Sequence, residues 1–113
     1  MGPTVCFVDN GVNLFAGTYH NGVFRSTDKG ASWFSVNNGL MGAYVYSLAA
    51  PGTNVVAATD SGVFRSSDNG LSWNASSRGL GRDVYGLAVA GTNVLAAGDS
   101  GVFRLADDGV TWS

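Results

Sequence analysis

Short apolar runs alternate with polar, glycine-rich turns along the whole chain, and the middle stretch shows the pattern best. Tyr44–Ala50 predicts a strand, Pro51-Gly52-Thr53 a turn, and Asn54–Thr59 a strand of small apolar residues buried on both faces. Asp60-Ser61-Gly62 turns into a third strand, Val63–Ser66. Ser67–Gly70 is a tight turn, and Leu71–Ser76 reads as a fourth strand. The same course precedes it, as Thr4–Val8, Leu14–Thr18, Val23–Ser26 and Ser32–Val36. It follows again as Val84–Ala90, Val94–Gly98, Val102–Leu105 and a stunted Thr111-Trp112-Ser113.

The repetition extends to side chains. Ser26-Thr27-Asp28-Lys29-Gly30-Ala31-Ser32-Trp33 returns as Ser66-Ser67-Asp68-Asn69-Gly70-Leu71-Ser72-Trp73. It returns a third time as Leu105-Ala106-Asp107-Asp108-Gly109-Val110-Thr111-Trp112, and the three tryptophans stand 40 and 39 residues apart. Gly-Val-Phe-Arg precedes each copy, ending at Arg25, Arg65 and Arg104. A period of about 40 residues is the length of one four-stranded propeller blade. The expected fold is all-β, a single segment over 1–113 with blades at about 4–38, 44–78 and 83–113.

The repeated octapeptide resembles the Asp-box, or bacterial neuraminidase repeat, Ser-x-Asp-x-Gly-x-Ser/Thr-Trp; the third copy departs from it with Leu105 at the leading Ser. The resemblance implies a turn between the third and fourth strands of each blade and a structural role for Ser26, Asp28, Gly30, Trp33, Ser66, Asp68, Gly70, Trp73, Asp107, Gly109 and Trp112. The chemistry agrees: an Asp carboxylate accepts from turn N–H groups, Gly allows positive φ, and Trp buries a large ring. Three identical acids on three blades do not share one catalytic or metal site.

Composition sharpens this reading. Only 12% of the 113 residues are charged, 17 are glycine, and the eight acidic residues are all Asp; Glu, Gln and Ile are absent. Poverty in good helix formers favours strands. A net charge of −2 with no basic run gives no support to nucleic-acid or membrane-surface binding. The apolar runs are too short to cross a bilayer as helices. Cys6, the one cysteine, reads as a small strand residue, and the one histidine, His20, as an exposed loop residue. Neither has a metal-binding partner in the sequence, so no metal or cofactor is expected.

Sialidases, the best-known Asp-box enzymes, hold a substrate carboxylate with three arginines and use a Tyr–Glu pair. Arg25, Arg65 and Arg104 sit at equivalent strand-three places, spread around a propeller, and the chain has no Glu. No enzymatic activity is expected. Non-repeating residues are the better candidates: Tyr19-His20-Asn21, Asp60 and Asp99 in the loops after the second strands, and Tyr44, Tyr46, Arg82, Asp83 and Tyr85 at the entry to the first strands. These share one face, and rings beside amide, acid and arginine groups suit a sugar or peptide.

A propeller needs at least about four blades to close. Three blades in a row leave the faces of the end blades in water, with small apolar strands such as Val55–Ala58 or Val94–Ala97 among them, and exposed faces drive association. Two chains joined head to tail make a six-bladed ring, so a homodimer is expected. The expected function is a non-catalytic scaffold that assembles with itself and binds a peptide, protein or glycan. A lectin-like propeller and a fragment of a sialidase-like glycosidase are the alternatives. The resemblance extends to long bacterial extracytoplasmic repeat proteins, implying a secreted or extracytoplasmic bacterial parent; the Met-Gly-Pro start and the Trp112-Ser113 end give the expectation of an excised, evolved or metagenomic fragment.

Overall fold

The computed structural model describes residues 2–42, 44–80, 83–107 and 109–113. It is all-β and contains three antiparallel sheets, each a meander in which consecutive strands pair. The first sheet comprises β1 (Thr4–Asp9), β2 (Leu14–Thr18), β3 (Val23–Ser26) and β4 (Phe34–Ser35). The middle sheet comprises β5 (Val45–Ala49), β6 (Val55–Thr59), β7 (Gly62–Ser66) and β8 (Asn74–Ala75). The third has β9 (Val84–Ala90), β10 (Asn93–Gly98) and β11 (Gly101–Arg104). Equivalent residues keep equivalent registers: Phe15, Val56 and Leu95 pair with Arg25, Arg65 and Arg104.

The fourth strands are shorter than their sequences predict. Ser32–Val36 and Leu71–Ser76 contract to two-residue strands, and Thr111–Ser113 forms none among the described residues. A bridge between Leu105 and Trp112, and reciprocal backbone bonds between Arg104 and Ser113 of 2.9 and 3.0 Å, hold that end. In the second and third repeats the tryptophan backbone pairs elsewhere. Trp73 N–H donates to the Asn38 carbonyl at 2.9 Å, and Trp112 N–H to the Arg78 carbonyl at 2.7 Å. The chain therefore leaves its own ladder and joins the preceding repeat.

Each gap between sheets holds a core. Phe15 and Val23 of the first sheet meet Val45, Leu48, Val55, Ala57, Phe64 and Trp73 of the middle one. Val56, Ala58 and Val63 of the middle sheet meet Val84, Val94, Ala96 and Trp112. β6 is thus buried on both faces, with Val55, Val56, Ala57 and Ala58 all at 0% exposure. Of the small-residue run Asn54–Thr59, Val55–Thr59 is buried between sheets as its composition predicts, and the expectation that Val55–Ala58 faces water is corrected, because sheets pack on both sides of it. Of Val94–Ala97, Val94 and Ala96 are buried against the middle sheet, Leu95 is half-buried and Ala97 is exposed.

Candidate functional site

One end of the molecule carries the β3–β4 and β7–β8 turns, and their shape is set locally. In the first turn the Asp28 carboxylate accepts from the Ser26 hydroxyl (2.8 Å), the Ser32 amide (2.8 Å) and the Ser32 hydroxyl (2.5 Å). The Ser26 Oγ in turn accepts from the Gly30 amide at 2.7 Å. The second turn repeats this with Ser66, Asp68, Gly70 and Ser72. Lys29 and Asn69 adopt φ of 62° and 60°, and the following glycines also lie at positive φ. These donors stabilise the charged carboxylate. The Ser32 hydroxyl foremost, then its amide and the Ser26 hydroxyl, bring Asp28 down to about 2, and equivalent bonds lower Asp68. In the third turn Leu105 supplies no hydroxyl, Asp107 is exposed, and the Gly109 amide donates instead to the Ala106 carbonyl at 3.1 Å.

The same end forms the seams between sheets. The Trp73 indole N–H donates to the Val36 carbonyl, and the Trp112 indole to the Ser76 carbonyl, at 2.7 and 2.6 Å. Arg25 Nη1 donates to the Asn69 carbonyl at 2.8 Å, and the Arg65 guanidinium lies against Gly109. Trp33 donates instead to its own Gly30 carbonyl at 3.1 Å and stays half-buried. Two seam elements were missed by sequence reasoning. Asn10, 2% exposed, donates to Thr53 and Asn69 across the first seam. Gly39 and Gly79 sit so close to the Trp73 and Trp112 carbonyls that a Cβ would approach to 2.4 and 2.3 Å. The repeated Gly-Leu at 39–40 and 79–80 was the available signal.

The opposite end holds the non-repeating candidates, and five of them form a continuous row of rings. Tyr19 lies 4.8 Å from Tyr44, and His20 meets Tyr44 edge-on at 5.5 Å. Tyr44 lies 5.6 Å from Tyr46, which meets Tyr85 at 5.1 Å and 71°. The row crosses all three sheets. Buried hydroxyls shape the loops that carry it: Thr18 Oγ1 donates to the Gly22 carbonyl and accepts from the Asn21 amide. Thr59 plays the same part before Asp60, accepting from the Ser61 amide at 3.1 Å. In the third sheet Gly98 replaces that threonine. A Cβ there would come within 2.0 Å of the Asp83 carbonyl, so glycine lets the Asp83 chain approach, and the Asp99 amide donates to that carbonyl at 3.2 Å.

Asp60, Asp83 and Asp99 therefore flank the ring row. Burial first, then the Asp60 and Asp83 charges, raises the Tyr46 phenol; the Asp99 charge foremost raises Tyr85, whose hydroxyl lies 3.5 Å from Asp83 Oδ2. Asn21 stands beside the row, its carbonyl accepting from Asn37 Nδ2 at 3.2 Å. Arg82, expected at this face, lies outside the described residues. No group of three or more metal-ligating side chains gathers among the described residues. In comparisons with known proteins, no family model matches the chain and no curated protein matches it significantly.

Proposed function

We propose that this chain is a non-catalytic scaffold and binding module: three Asp-box propeller blades that close by head-to-tail pairing with a second copy and present the tyrosine face to a ligand. The observation that carries the reading is one repeated residue. Val23 and Val63 are buried at 0% and 1%, whereas their equivalent Val102 is 71% exposed. Val23 belongs to the same core cluster as Val45 and Leu48 of the following sheet, whereas Val102 belongs to no core cluster among the described residues. With Leu87, Leu95 and Ala97 it lines an open apolar hollow.

The matching knob lies at the other end of the row. By register, Phe7 is the counterpart of Leu48, since Phe7 pairs with Ala16 as Leu48 pairs with Ala57. Leu48 is 6% exposed within its seam, whereas Phe7 is 62% exposed, with its ring 6.0 Å from that of Trp33. Phe7 and Trp33 of one copy thus offer what Leu48 and Trp73 offer inside the chain. In such a pairing Arg104 would take the part that Arg25 takes on the Asn69 carbonyl. Two such seams in a two-chain ring satisfy both ends at once.

Light scattering tests this. The expected result is a dimer mass for the parent and a single-chain mass for Val102→Asp with its β-sheet circular dichroism retained. A monodisperse single-chain mass for the parent, with a cooperative melt, overturns it. A lectin function is the second reading, favoured by the row of rings; a glycan array with the assembled protein separates it from protein binding.

A further inference from the structure

The Tyr46 and Tyr85 rings meet edge to face, and the row continues through Tyr44, Tyr19 and His20 beside carboxylates. Rings stacked for their own packing would be buried, yet Tyr85 is 47% and Tyr19 is 38% exposed. Nor does the repeat explain the row. The position of Tyr46 and Tyr85 is Val5 in the first repeat, and Tyr19 stands where the other repeats have Asp60 and Asp99. The scaffold tolerates other residues at these places, so the rings are not there to hold the fold.

The charges beside the row decide its chemistry. Among the described residues Asp60 Oδ1 accepts a long 3.4 Å bond from the Tyr44 amide. Asp83 approaches the Tyr85 hydroxyl at 3.5 Å, and none of the three carboxylates is ion-paired among the described residues. Aromatic faces carry a negative quadrupole and attract cations, most strongly where the charge is spread over methyl groups and weakly hydrated. Carboxylates at the edge add to that attraction and repel anions. A neutral sugar would gain the stacking but nothing from the field, and an acidic sugar would be opposed by it.

We propose that the Tyr46–Tyr85 pair, with Asp60, Asp83 and Asp99 around it, is a binding site for an alkylated ammonium group. The site rests on the recognition half of the proposed function and not on the assembly half, because every ring belongs to one chain. The ammonium group arrives either on a small molecule or on a peptide side chain, and both present the same methylated cation.

The test uses isothermal titration and amide chemical shifts with three free probes: choline, its uncharged isostere 3,3-dimethylbutan-1-ol, and methyl glucoside. A peptide carrying trimethyllysine is the fourth. Choline or the peptide is expected to shift the amides of Tyr46 and Tyr85, with the isostere weaker by about tenfold or more. Tighter binding of the peptide assigns the group to a side chain; equal or tighter binding of choline assigns it to a small molecule. Tyr46→Leu and Asp83→Asn should each weaken binding about fivefold or more while leaving the melting temperature near the parent's. Val102→Asp, which addresses assembly alone, should still bind. Isostere or glucoside binding as tight as choline, or no shift with either cationic probe, overturns the proposal.

Discussion

The Trp73 indole N–H reaches back 37 residues to donate to the Val36 carbonyl at 2.7 Å. The ring is 3% exposed and belongs to the first core, so one side chain fills the gap between two sheets and satisfies a carbonyl of the earlier one. Trp112 repeats the arrangement on Ser76. Trp73→Ala should therefore cost about 3–5 kcal/mol by removing a large buried ring. Trp73→Phe retains most of the ring but strands the Val36 carbonyl, at about 1–3 kcal/mol. Urea melts of the two variants check the order, and a Phe variant as damaging as Ala would show that the hydrogen bond, not the ring, holds the seam.

Acid should weaken the fold through the turns. Asp28 is held at about 2 and Asp68 is also lowered, so both carboxylates are more readily ionised folded than unfolded. A depressed folded pKa stabilises fully above the ordinary carboxylate value of about 4 and loses that contribution as pH falls through the folded value. Thermal melts between about pH 5 and pH 2 should show falling midpoints. Asp28→Asn should start from a lower midpoint at pH 7 and fall less steeply; an unchanged slope would remove Asp28 from this account.

Glycine matters at Gly79 more than at Gly91. Both hold positive φ, but a Cβ on Gly79 would stand 2.3 Å from the Trp112 carbonyl oxygen, while Gly91 faces open space. Gly91→Ala should cost about 1–2 kcal/mol from backbone strain alone. Gly79→Ala should cost clearly more, because backbone cannot move aside cheaply. Equal losses in chemical denaturation would contradict the close approach.

Cys6 should be a slow thiol. Burial raises its pKa against smaller opposing effects from the Gly17 and Leu48 backbone, which leaves little thiolate near neutral pH. Since the thiolate is the nucleophile, alkylation at pH 8 should run at least about tenfold slower in the folded protein than in urea. Matching rates in the two states would place the thiol in solvent.

How much of this was legible in the sequence follows from the range of each interaction. The turn chemistry links Ser26, Asp28, Gly30 and Ser32, all within six residues, so its pattern can be read from the letters. The three-fold strand course was legible for the same reason, since each sheet is a meander of neighbours. The fourth strand of the middle sheet was overestimated because a contact with the preceding repeat, Trp73 to Asn38, competes with the local ladder.

Sequence alone thus determined the repeat, the strand order and the turns, because periodicity and short-range hydrogen bonding carry them. Only the tertiary structure decided what meets across the gaps. It brings Tyr19 and Tyr85 to the ends of one row of rings, and it sets Arg25 on the Asn69 carbonyl. It also separates identical residues: Val63 and Val102 occupy the same place in the same Gly-Val-Phe-Arg, yet one is 1% and the other 71% exposed. Burial is a property of the neighbouring sheet, and a repeated sequence cannot say which copy lacks a neighbour.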